Sequence, residues 1–374
     1  MVRIGRRPIP VSALLLVLTL AATPTSAATR GVTSAQPQAV PADLWGWVVA
    51  RQPSTIAYTP LAKDQGNSTG GTNTVERQSA GVYTVHYPGL VGAGETGISL
   101  VSALTTQPRY CVVGSNGGEV GGATTVVSCF NAAGSPADTP FVVNRLIYQQ
   151  PAGHAAYLFD THPSATDWTP AASDQFNSTN ASNTVHRIST GRYQVNLLNL
   201  GTSHGNVQIT TWGNATTTAG IVSTASACHT LGWAAFHSSL QVQIACRKRS
   251  GALADTYFFL YFSQSEGLKG PGVGPVAYLD ANQPTTASYT PTAGRRWSSA
   301  AMPSHVTRSG VGRYLVTLPG MPLGGGAQVT PYGPGTAHCS ISSIRGSTPQ
   351  QVGVRCFKPS GAPVDSQFGL SYAR

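Results

Sequence analysis

Apolar and polar residues alternate with a period of two along much of this chain. In the stretch from Gly312 to Leu318, Tyr314, Val316 and Leu318 share one face, while Arg313, Leu315 and Thr317 take the other. Tyr193, Val195 and Leu197 repeat that face, as do Tyr83, Val85 and Tyr87. Val352, Val354 and Cys356 alternate in the same way, matching Val242, Ile244 and Cys246, so a cysteine falls on an apolar face. Glycine and proline turns recur every 8–12 residues or so, the spacing of short strands, and no helical stripe of useful length is present. The pattern predicts antiparallel strands in a sandwich or barrel.

The pattern also repeats at long range. Tyr58, Trp168 and Tyr289 are 110 and 121 positions apart, and so are Gly81, Gly191 and Gly312, and Arg77, Arg187 and Arg308. Asp138, Asp255 and Asp365 are 117 and 110 apart, which places insertions between the halves of the repeats. A unit this long is the size of a self-sufficient domain rather than of a solenoid repeat. The expected fold is all-β: three tandem antiparallel β-sandwich, jelly-roll-like domains at 44–148, 155–263 and 276–374. Short linkers rich in Gly, Pro and Gln separate them.

The first 27 residues read as a secretory signal, with Arg3, Arg6 and Arg7 ahead of an apolar run from Val11 to Ala22 and small residues up to Ala27. Residues 28–43 lack periodicity and read as a flexible leader. Beyond the signal, the densest apolar run is Tyr257 to Phe262, far short of the ~20 residues a membrane helix needs. The expectation is therefore a secreted, extracellular protein with no membrane span.

Export changes how the six cysteines are read. In an oxidising compartment they favour disulfides over metal ligands. Each repeat holds two, as Cys111 and Cys129, Cys228 and Cys246, and Cys339 and Cys356, separated by 18, 18 and 17 positions. One local staple per repeat follows, each contributing on the order of 3 kcal/mol in the chain-entropy model. Charge changes the picture less. Charged residues make up 10% of the chain, and removing Arg3, Arg6 and Arg7 from the formal +10 leaves +7. The basic residues are scattered, with no stripe longer than Arg247-Lys248-Arg249, which argues against nucleic acid as a partner.

Candidate chemistry is sparse. Asp138, Asp255 and Asp365 follow Gly-bearing turns and are expected to bond backbone amides there. Arg77, Arg187 and Arg308 read as cross-strand partners or as contacts to a ligand. Tyr58, Trp168 and Tyr289, with Phe176 and Trp297 eight residues after the last two, make the best ligand platform, because aromatic faces stack on sugar rings. Packing at the end of a sandwich is the competing role, and Gly66 stands where the first repeat would need its second aromatic. His86, His186, His229, His305 and His338 occupy different places in their repeats and form no close ligand pair. No Gly-x-Ser-x-Gly elbow is present, and neither a metal nor another cofactor is expected. Asn67, Asn177, Asn180 and Asn214 lie in N-x-S/T sequons and are expected to mark surface loops.

The run from Gly312 to Gly320, then Val329 to Gly333, Cys339, Val352 to Phe357 and Gly361 to Phe368 resembles the tandem repeats of secreted actinobacterial proteins of unknown function. More remotely, Gly-x-Tyr-x-Val followed by a terminal Gly-x-x-x-Asp-Ser-x-Phe is similar to the closing strands of phage tail-fibre and C1q-like jelly rolls. That likeness implies a sandwich that assembles in threes and binds surfaces, and here the three repeats would pack as a pseudo-trimer within one chain. The expected function is non-catalytic binding or adhesion, with surface carbohydrate or cell-wall polymer as partner. The alternatives are a hydrolase of wall polymer with its site in one repeat, and a structural or coat component.

Overall fold

The structure, a computed structural model, describes residues 42–92, 97–150, 152–213, 226–346 and 348–374. The expected signal peptide, nearly all of the leader and the sequon at Asn214 lie outside the described residues.

The first repeat forms β1 (Leu44–Ala50), β2 (Ala57–Tyr58), β3 (Gln65–Asn67), β4 (Thr74–Ser79), β5 (Val82–Pro88), β6 (Ile98–Ala103), β7 (Tyr110–Glu119), β8 (Gly122–Phe130) and β9 (Phe141–Ile147). The second forms β10 (Ala155–Asp160), β11 (Asp167–Trp168), β12 (Gln175–Asn177), β13 (Thr184–Ser189), β14 (Arg192–Leu197), β15 (Asn206–Thr211), β16 (Ser226–Phe236), β17 (Ser239–Lys248) and β18 (Phe258–Ser263). The third forms β19 (Val276–Ala281), β20 (Ser288–Tyr289), β21 (Arg296–Ser298), β22 (His305–Gly310), β23 (Arg313–Leu318), β24 (Gly326–Tyr332), β25 (His338–Arg345), β26 (Gln350–Phe357) and β27 (Gln367–Ala373).

Each set folds as two facing antiparallel layers. In the first repeat these are a four-stranded sheet, β3-β1-β9-β6, and a five-stranded sheet, β2-β4-β5-β8-β7. The other repeats copy both orders, and the five-stranded layer of the second joins the four-stranded layer of the third through β16 and β24. The alternating residues do what their period requires: Tyr314, Val316 and Leu318 are buried between the layers, as are Tyr193, Val195 and Leu197. The cysteines lie directly opposite one another across β7/β8, β16/β17 and β25/β26. They form the three expected disulfides, Cys111–Cys129, Cys228–Cys246 and Cys339–Cys356.

The four-stranded layers are buried on both faces, which explains why β9 and β18 are near-continuous apolar runs. Their second face packs against the neighbouring repeats. Trp47, Val49 and Val142 of the first repeat belong to the hydrophobic core of the third, and Tyr157, Phe259 and Tyr261 of the second to that of the first.

Two sets of hydrogen bonds close the three repeats into a ring. Thr105 N donates to Ile341 O at 2.7 Å, Gly213 N to Val113 O at 2.8 Å, and Gly333 N to Thr230 O at 2.9 Å. Between β6, β15 and β24, Val101 N donates to Thr210 Oγ1 at 3.1 Å, Ile209 N to Thr330 Oγ1 at 2.9 Å, and Val329 N to Ser102 Oγ at 3.0 Å. Each trio uses matching positions of the three repeats and runs from one to the next until it returns to its start. The ring is cyclic, and the side-chain set is buried.

Candidate functional site

The recurring Arg and Asp residues meet in the same way three times. Arg308 Nε and Nη2 donate to the two oxygens of Asp365 at 2.9 and 2.7 Å. Gly312 N and Tyr314 OH donate to Asp365 Oδ1 at 2.8 and 3.1 Å. Arg187 with Asp255, and Arg77 with Asp138, reproduce this corner, each with its own glycine and tyrosine. The Arg308 bond, reinforced by the amide and hydroxyl donors, holds the Asp365 carboxyl below its ordinary range against the opposing effect of burial. The fork of each arginine is thus committed to a carboxylate within its own repeat, which supplies the cross-strand role and leaves it poorly placed to recognise a ligand.

Tyr58, Trp168 and Tyr289 sit half-buried on the short outermost strands β2, β11 and β20, each packed against the core of its own repeat. Each also closes a turn six residues upstream. Tyr58 OH accepts from Gln52 N at 3.4 Å, Tyr289 OH accepts from Gln283 N at 3.2 Å, and Trp168 stacks on His162 with ring centroids 3.5 Å apart. Phe176 and Trp297 are half-buried as well, stacked on Tyr157 and Tyr278 across the strand pair. Glycine at position 66 is explained by its partner: a Cβ there would collide with Trp47 Nε1, so the Trp47 indole fills the space of the missing ring. The expected platform is therefore mostly packing, with ring edges left at the surface.

Those edges share their surroundings with residues that spacing gave no reason to group. At the β2/β4/β5 edge, a cleft of about 360 Å³ is lined by Tyr58, Thr59, Thr74, Glu76 and His86, among others. His86 Nδ1 lies 2.9 Å from Glu119 Oε2, and its Nε2 lies 3.7 Å from Glu76 Oε2. At the same edge of the second repeat, His186 Nδ1 lies 2.8 Å from Asp167 Oδ1, next to Trp168. In the third, His305 contacts the Ser288 and Thr290 hydroxyls at 2.7 and 3.1 Å, on either side of Tyr289. Three histidines from three different positions of the repeat thus arrive at the equivalent edge of each repeat, each beside the repeated aromatic.

The sequons at Asn67 and Asn177 correct an expectation. Asn177 is buried, its amide donating to Asn183 Oδ1 and Leu198 O at 3.0 Å each, while its own oxygen accepts from Thr179 N at 2.9 Å. Asn67 makes the matching bonds to Asn73, Pro88 and Thr69. These side chains pin the β3 and β12 turns, Asn177 from inside and Asn67 from a half-exposed position, because an Asx side chain can replace a missing backbone partner.

Among the described residues, no group of three or more His, Cys, Asp or Glu is placed to hold a metal ion, and no helix is long and apolar enough to cross a membrane. Fold and edges together define an all-β, disulfide-stapled body with three related aromatic–histidine edges. No family model, curated protein or solved structure matches the chain.

Proposed function

We propose that this is a secreted, non-catalytic binding or adhesion protein whose edge clefts take surface carbohydrate. The cleft at Tyr58 carries the reading. It combines an aromatic edge with hydroxyl, carboxylate and imidazole groups in an open depression of about 360 Å³, within the size range of small-ligand sites. The two other edges keep the aromatic and vary the polar groups, as a set of related saccharide sites would. Three weak sites on one rigid body gain by multivalency on a surface that repeats its epitope. Three disulfides suit an exported chain. The likeness of the closing strands to C1q-like and tail-fibre jelly rolls, domains that bind surfaces in threes, points the same way.

The test is a glycan array followed by titration of the best hit into the full mature chain. His86→Ala, a change at the half-exposed polar side of the cleft, should weaken binding about tenfold, the loss expected for one hydrogen-bonding contact. Tyr58→Ala should weaken it further while also lowering the melting temperature, because that ring packs on the core of its repeat. Absence of binding across the array, with turnover of cell-wall polymer abolished by Glu76→Gln or Glu119→Gln, would replace this reading with a hydrolase. Ordered self-assembly of the purified chain without ligand would replace it with a coat component.

A further inference from the structure

In the cysteine hairpins of the first and third repeats, the residue before the first cysteine faces the residue after the second. These pairs are Tyr110 with Phe130 and His338 with Phe357. Both are stacked rings, with centroids 5.3 and 5.5 Å apart. The same register in the second repeat pairs Ala227 with Arg247. A methyl group and a guanidinium thus stand where the sibling repeats place two rings, and a pocket of about 40 Å³ opens there. Tyr110 comes to it from the first repeat, Ala227, His229 and Arg247 from the second, and His338 from the third.

The lining is unusual in charge and in satisfaction. His229, Arg247 and His338 line this pocket, and each keeps one buried nitrogen, His229 Nε2, Arg247 Nε and His338 Nε2, without a hydrogen-bond partner just behind its wall. Such atoms ordinarily find partners, because each one left alone costs about 1–3 kcal/mol. Lys248 and Arg249 add further positive charge, and no carboxylate lines the pocket among the described residues. The cationic side chains are held in place. Arg247 Nη1 donates to Gly251 O at 2.9 Å, and Arg249 bridges the other repeats by donating to Asn131 O at 3.3 Å and Pro359 O at 2.9 Å. Plain filling does not account for this: the Tyr110–Phe130 pair of the first repeat closes the matching space with apolar ring faces and puts no guanidinium there.

We propose that this pocket binds a small oxyanion, the carboxylate, phosphate or sulfate group of a ligand. Its volume corresponds to about three water-sized probes, which suits one such group and excludes a sugar ring. Arg247, Lys248 and Arg249 bring charge-assisted donors to an anionic oxygen, and their field repels cations. Burial pushes the His229 imidazole down to about 4, with Arg247 and Arg192 adding to the effect and backbone bonds at Gly333 and Gly335 opposing it. It pushes His338 down to about 4 as well, with Arg249 adding to it. Both rings are therefore neutral at pH 7 in the free protein. An entering anion offsets the positive neighbours and so raises both imidazole pKa values. The proposal is independent of the carbohydrate reading and would stand if the Tyr58 cleft bound nothing.

The test is NMR titration of the full mature chain with inorganic phosphate, sulfate, glucuronate and a glycerol phosphodiester, with glucose as the uncharged control. The imidazole signals of His229 and His338 should shift saturably with oxyanions and report a raised pKa, and glucose should leave them in place. The double variant Ala227→Tyr/Arg247→Phe rebuilds the pair of the sibling repeats. It should stay folded and lose at least about tenfold in affinity, the worth of one charge-assisted hydrogen bond. Arg247→Lys, which keeps the charge without the guanidinium, should lie between the two. Binding of phosphate but not of the diester would assign a free anion, and binding of both would assign an anionic group carried on a polymer. No saturable shift with any oxyanion, an equal response to glucose, or unchanged affinity in the double variant would overturn the proposal.

Discussion

Replacing Gly312 by alanine should destabilise the protein by about 3 kcal/mol, and the number can be built from the corner it occupies. Gly312 has φ +63°, and a Cβ there would sit 2.5 Å from Cys356 O and 2.8 Å from Val364 O. The left-handed conformation alone costs an L-residue about 1–2 kcal/mol. Both close atoms are backbone, so no rotamer change relieves the contact. The strand must move, and with it the bonds from Cys356 N to Gly312 O at 3.0 Å and from Val364 N to Cys356 O at 3.1 Å. Weakening those two bonds adds roughly another 1–2 kcal/mol. Gly310, two residues earlier, is the internal control: its Cβ would meet only Arg313 Cδ at 3.6 Å. Gly310→Ala should therefore stay within about 0.5 kcal/mol of the parent. In differential scanning calorimetry, Gly312→Ala should melt about 5 °C lower, taking the shift per kcal/mol expected of larger domains. Gly191→Ala and Gly81→Ala should follow it, since their Cβ atoms would also fall 2.5 Å from a cysteine carbonyl. Equal melting temperatures for Gly312→Ala and Gly310→Ala would refute the reasoning.

Thr330→Val keeps the shape of the residue but removes the acceptor for Ile209 N and the donor to Gln208 Oε1. It should cost about 2 kcal/mol by denaturant unfolding, because it strands buried groups of a neighbouring repeat. Asp280 is buried, and burial raises its carboxyl to about 8 despite the bond from Asn206. Its native pKa lies above the unfolded value, so its contribution to stability is complete below about pH 4 and is lost as pH rises through about 8. Melting temperatures from pH 5 to 9 should therefore fall less steeply in Asp280→Asn than in the parent. The corner carboxylates Asp138, Asp255 and Asp365 have lowered values and act in the opposite sense: the stability they contribute is present above about pH 4 and is lost on further acidification. An acid melting series on Asp365→Asn, showing a shallower fall below pH 4 than the parent, would register that term.

Local and near-local physics was legible in the residues. The period of two placed Tyr314, Val316 and Leu318 inside, and the cysteine on the apolar strand found the partner that its hairpin put opposite. The aspartates following the turns did bond backbone amides. These features depend on strand alternation and on contacts that the repeat made visible three times. What the tertiary structure decided depends on residues far apart in the chain. The ring joins Val101 to Thr210, Ile209 to Thr330 and Val329 to Ser102, and no periodicity announces a hydrogen bond across more than a hundred residues. His86, His186 and His305 reach the equivalent edge of their own repeats only because β2, β4 and β5 and their counterparts bring different positions to corresponding places. Asn177 looked like surface because a sequon describes composition, whereas its burial follows from the turn that it closes. The pocket at Arg247 is the clearest division between the two. The chain shows Ala227 and Arg247 as two unremarkable differences between repeats, and only the register across β16 and β17 makes them a single gap, lined by side chains from all three repeats.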